Sequence, residues 1–199
     1  MDMNKEKIIM WGALAGIIGA IAFSTLWSLA IITDGHWIFG VETLSELGGH
    51  RPGRCFFNTG LIVMGLLSIP FGAVLYRRFE HTNLGRISTA TFVLAAISLI
   101  GIGVFPINTG TPHTFFSWAF FSTVIISLTI MLRPIWMFKR LGRPIVIVTL
   151  GTVMVGYITI ILVATKNMEL ALSEALVVIS LLIWTISMGI SLLHEMLTR

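Results

Sequence analysis

Six long apolar runs, at residues 8–32, 56–76, 87–107, 114–132, 144–165 and 175–193, alternate with short polar stretches. None of the runs contains Asp, Glu, Lys, Arg or His. A helix crosses the hydrocarbon core of a bilayer with about 17–25 such residues, and each run has that length. In lipid each must be helical, because only a helix pairs its own backbone groups without water. The pattern therefore predicts an all-α fold, a polytopic bundle of six transmembrane helices. No polar linker divides it, so residues 1–199 read as a single membrane-embedded domain. Pro70 predicts a kink and Pro106 a helix end, while Pro144 suits a first helical turn.

The positions of Lys and Arg orient the bundle. Ten fall at the two termini and in alternate connections: Lys5, Lys7, Arg77, Arg78, Arg86, Arg133, Lys139, Arg140, Arg143 and Arg199. Three, Arg51, Arg54 and Lys166, fall on the opposite side. Short cytoplasmic loops carry the basic excess, which predicts both termini in the cytoplasm. The first run is too long for a secretory signal, whose apolar part has about 7–15 residues. Ile31-Ile32-Thr33-Asp34 stands where a small-residue cleavage site would be, so the run is read as a retained span. Trp11, Trp37, Trp118, Trp136 and Trp184 fall mostly near span ends, where amphipathic rings prefer the interface.

Composition agrees with a lipid-covered surface. The chain is 56% hydrophobic and 11% charged, against about 25% charged in soluble domains. Its net charge of +4 does not point to nucleic acid, because the bases sit in clusters between apolar runs. Such clusters suit loops facing anionic headgroups, so the expected partners are membrane lipids, in a multi-pass protein of the cell membrane. Gly12, Gly16 and Ala20, four apart, form a smooth face for close helix contact, within the bundle or in a homo-oligomer. The single cysteine, Cys55, allows no internal disulfide.

Candidate chemistry gathers on the predicted outer face. Asp34, Glu42, Glu46, Glu169 and Glu174 lie there with His36, His50 and His113. The longest connection, residues 33–54, predicts a short interfacial helix over 41–47, stopped by Gly48-Gly49. Glu42 and Glu46 would share one face of it. They are either a solvated helix face or half of a site with Asp34, His36 and His50. His113, just ahead of the fourth span, suits a helix cap, a metal ligand or an acid–base group. Glu174 stands two turns inside the last helix, where a carboxylate needs a partner, or follows an N-cap at Ser173. His194-Glu195 lacks the second histidine of a zinc-protease helix, since Thr198 takes its place.

Thr43-Leu44-Ser45-Glu46-Leu47-Gly48, then Phe57-Asn58-Thr59-Gly60-Leu61 and Gly65-Leu66-Leu67, resemble one signature of the domain-of-unknown-function family 998. Gly103-Val104-Phe105-Pro106 with His113 resembles its second signature. The resemblance covers nearly the whole chain. It implies a six-span membrane protein, distantly similar to Frag-type membrane proteins, and singles out Ser45, Glu46, Asn58 and His113. Ile107-Asn108 stands where the resemblance implies an acidic residue, which leaves any metal site there one ligand short.

These residues lead to a protein that binds or modifies lipid at the outer leaflet. Glu46, His113 and Glu42 would be the catalytic groups, and Asn58, Ser45 and Glu174 would bind substrate. His50, His36 and Asp34 are the candidate ligands of a divalent metal, which carboxylates with histidine suit. A small transporter is the alternative, although ion paths usually place charges at mid-depth. A structural or assembly subunit is the third reading. The topology is testable with an impermeant thiol reagent. It should label Cys55 from outside, but not cysteines introduced at Lys5 or Thr198. Outside labelling of either terminus would invert the assignment of faces.

Overall fold

The computed structural model describes residues 3–198, with side chains from Glu6 onward. Arg199, assigned above to the inner face, lies outside the described residues, as does the Lys5 side chain. Six helices are long and apolar enough to cross a membrane. They are α1 (Met3–Asp34), α3 (Arg54–Phe79), α4 (Asn83–Val104), α5 (Thr111–Met137), α6 (Arg143–Ala164) and α7 (Leu170–Leu197), and a short α2 (Leu44–Leu47) lies in the first connection.

The apolar runs locate these helices, and their ends differ for local reasons. Most helices run past their apolar run into polar residues, as α3 does through Arg77 and Arg78. The third stops early, at Val104. Phe105 leaves helical geometry and Pro106 opens a separate 3-10 turn, Ile107–Thr109. Pro70 lies inside a continuous α3, and Pro144 is in the first turn of α6. The helix expected over 41–47 is shorter. Thr43, in extended geometry, is its N-cap, so Glu42 is outside it and shares no helix face with Glu46. Glu169, not Ser173, stands at the N-cap of α7, which places Glu174 in its second turn.

Neighbour contacts run α1–α3–α4–α5–α6–α7 and back to α1, a closed ring of six helices. Large side chains fill its middle. Phe71, Phe92 and Trp184 meet with ring centroids 5.8–6.2 Å apart. Trp184, expected at an interface, is instead fully buried, and its Nε1 donates to Thr149 Oγ1 at 2.9 Å. The Thr149 hydroxyl donates to the Ile145 carbonyl, so the indole N–H finds a partner without leaving an orphan in the core. Ser127 of α5 donates to the Ser88 carbonyl of α4 at 2.7 Å.

Glycines set the closest approaches. A Cβ on Gly16 would lie 2.7 Å from the Phe71 ring of α3, and one on Gly189 would lie 3.1 Å from the Ala13 carbonyl oxygen of α1. The small-residue face of α1 is therefore used inside the bundle. Opposite faces turn outward, with Trp11, Trp118 and Ile147 more than 60% exposed, as lipid contact requires. Gly16→Leu should lower stability in detergent by about 1–3 kcal/mol, the usual cost of overpacking. Thermal unfolding of the purified protein measures it, and an unchanged midpoint would mean that α1 and α3 do not meet there.

Candidate functional site

The connection from α1 to α3 folds back over one end of the bundle. Gly35, with φ of 70°, reverses the chain after Asp34. Trp37 is buried and ties the loop across itself, its Nε1 donating to the Thr43 carbonyl at 3.0 Å. Glu46 Oε2 accepts the Thr43 N–H at 2.6 Å and the Thr43 hydroxyl at 3.2 Å, the reach-back of a capping box. Leu44 and Leu47 turn inward and are buried.

α7 then fastens this segment. Glu174 Oε2 accepts the Leu44 N–H and Oε1 accepts the Ser45 hydroxyl, both at 2.9 Å. A first-turn N–H has no partner inside its own helix, so a carboxylate from elsewhere suits it. On the far side of α2, Asn58 Nδ2 donates to the Gly48 carbonyl at 2.9 Å. A Cβ on Gly49 would sit 3.0 Å from Ile107, which brings the α4–α5 connection against the α1–α3 connection.

Arg51 joins two carboxylates. It pairs with Asp34 at 3.0 Å and with Glu42, whose other oxygen accepts the Ile38 N–H at 2.9 Å. The bond to Glu42 holds the guanidinium above its usual pKa against the opposing effect of burial, with Asp34 adding to it. Asp34 is thereby buried with a counter-ion.

His113 is buried as well. Its Nδ1 is 2.9 Å from the Phe105 carbonyl, and its Nε2 is 3.3 Å from the Ser117 hydroxyl. A carbonyl only accepts, so Nδ1 carries a proton and donates it to Phe105. His113 thus staples the end of α4 to the start of α5.

A cavity of about 430 Å³ opens on this end, lined by Asp34, His36, Glu46, Gly49, His50, Arg51, Pro52, Ile107 and Asn108. It gathers Glu46, His36, His50 and Asp34 among the expected residues, and Glu42 stands behind Arg51. Asn58, Ser45, Glu174 and His113 are not in its lining. No hydrogen bond joins Glu46 to His113 among the described residues, and each has its own local partner. Also among the described residues, no three His, Cys, Asp or Glu side chains are disposed to hold a metal, so His36, His50 and Asp34 share a cavity without forming a chelate. Arg51 and Asn108 are lining residues that the sequence reading did not single out. Two carboxylates in one loop with a single arginine between Glu46 and α3 was the available signal for Arg51.

An apolar groove of about 470 Å³ runs along α5, lined by Thr111, Thr114, Phe115, Trp118, Ala119 and Ser122. Asn108 on the first rim and Thr111 on the second are three residues apart, so their Cα atoms lie within about 11 Å.

Six apolar helices in a ring, closed at one end by hydrogen-bonded polar loops, define a polytopic helical membrane protein. The chain belongs to the family described as protein of unknown function DUF998, whose family model matches residues 17–191. No curated protein and no solved structure matches it.

The Glu174 contacts carry a direct expectation. Hydrogen bonds to a charged group contribute about 1.5–3 kcal/mol each. Glu174→Ala should therefore free α2 and speed amide exchange at Leu44 by about 10- to 100-fold, with a smaller change for Glu174→Gln. Hydrogen exchange read by mass spectrometry decides it. Equal protection of residues 44–48 in all three proteins would show that α2 is held by its leucines alone.

Proposed function

We propose that the protein binds a membrane amphiphile at the outer leaflet of the cell membrane. The headgroup would enter the polar cavity and the chain would lie in the groove on α5. The observation that carries this reading is the pairing of the two hollows. The rim of a cavity lined by carboxylates, histidines and an arginine, at Asn108, is three residues along the chain from the rim of an apolar groove, at Thr111, whose walls include exposed Phe115 and Trp118. Ligand sites are largely apolar hollows with a few placed polar groups, and together these two have that character.

Binding is favoured over catalysis by what the polar groups already do. Glu46 Oε2, both oxygens of Glu174 and both ring nitrogens of His113 hold partners in the protein. His36 and His50 are exposed on the cavity wall and have no side-chain partner among the described residues, so they are the groups free to meet a headgroup. The outer-leaflet assignment follows from the basic excess on the opposite connections.

A phospholipid carrying a photoreactive acyl chain, reconstituted with the protein in nanodiscs, tests the reading. Crosslinks should concentrate on residues 111–122, and Ser122→Trp should displace them by filling the groove. His50→Ala should weaken labelling about fivefold, the effect of one lost hydrogen bond of about 1 kcal/mol. Labelling spread evenly around all six helices would refute the site.

A further inference from the structure

The opposite end of the bundle carries the connections α3–α4 and α5–α6, and in or beside these two connections six basic residues are exposed: Arg77, Arg86, Arg133, Lys139, Arg140 and Arg143. A seventh, Arg78, is taken up inside. It pairs with the buried Glu195 near the end of α7, and its guanidinium carbon lies 5.4 Å from the centre of the Phe138 ring. Arg86 donates from Nε to the Glu80 carbonyl at 2.6 Å.

Four of the exposed cations, Arg133, Lys139, Arg140 and Arg143, fall within residues 133–143, where α5 turns into α6. None of the four has an ion pair or a side-chain hydrogen bond among the described residues. The turn that carries them is pinned. Ile135 and Leu141 are 1% and 4% exposed, and Phe138 packs edge-on to Phe79 with ring centroids 6.4 Å apart. With the apolar side chains anchored inward, the charged ones are left exposed on the outside of the turn.

Arg133, Trp136 and Met137 are spaced to share one face of the last turn of α5. Trp136 is 70% and Met137 59% exposed. A tryptophan at a span end sits at headgroup depth, so this face puts an apolar contact directly beside the cations. A soluble anion would use the charges and leave Trp136 idle. A phospholipid uses both.

We infer that the α5–α6 turn binds the headgroup of an anionic phospholipid, with Lys139, Arg140 and Arg143 meeting the phosphate and Trp136 lying against the acyl boundary. Arginine supplies paired N–H donors that match phosphate oxygens. This site is separate from the cavity at the other end and does not depend on it.

The test uses the full-length protein in nanodiscs of phosphatidylcholine with phosphatidylglycerol, reading retained lipid by native mass spectrometry. Each base near an anionic surface favours binding by about fivefold, so phosphatidylglycerol should be retained about a hundredfold over phosphatidylcholine. Arg140→Gln with Arg143→Gln should remove about 25-fold of that preference, while Arg77→Gln with Arg86→Gln should leave it intact. Where the first pair fails to fold, a salt titration of the unaltered protein decides, and high salt must erase the preference. Equal retention of both lipids overturns the inference. So does equal loss from the two double variants, which would mean a diffuse surface field. Glycerol phosphate retained as well as the lipid would mean a soluble ligand, and would also overturn it.

Discussion

A backbone amide inside a bilayer has no water to pair with, and this constraint governs the molecule. Six segments meet it by becoming helices. The chain between α1 and α3 is largely not helical, and it meets the same demand with side chains. Glu42 accepts the Ile38 N–H, Glu46 that of Thr43, and Glu174 that of Leu44. Trp37 donates to the Thr43 carbonyl, Asn58 to that of Gly48, and His113 to that of Phe105. Polar residues that look like chemistry at this end thus have a first task in common, which is to complete irregular backbone at the membrane edge.

That shared task explains what could and could not be read in advance. The helices were legible because a run of twenty apolar residues has one solution in lipid. Gly12 and Gly16 announced a close contact, and it occurs on α3. The site was harder. Glu46, His36, His50 and Asp34 were placed on one common face, and they do line one cavity. Glu46 and His113, grouped as catalytic residues, each have a separate local partner, because depth in the membrane says nothing about angular position around the bundle. Glu42 was misjudged for a smaller reason. Thr43 takes the N-cap, and the helix begins after Glu42 instead of before it.

The two ends of the ring do different things with charge. At the cavity end, acids outnumber bases, and Arg51 is shared between Asp34 and Glu42. At the other, a buried pair, Arg78 with Glu195, joins the ends of α3 and α7, and the other bases among the described residues are exposed. Between them the core is aromatic, and its one indole N–H at the centre is answered by Thr149. A buried ion pair is costly to desolvate, and removing either partner would strand the other.

The bond from Glu174 to Leu44 joins residues 130 apart in the chain. A ribosome adds about 5–20 residues per second, so the first connection emerges roughly ten seconds before the carboxylate that fastens it. The ring likewise closes only when α7 reaches α1. During biogenesis the first loop therefore waits, its Leu44 amide unclaimed, beside a bundle still open on one side. The part of the protein made early is finished last, and the translocation machinery or a chaperone has that interval in which to hold it.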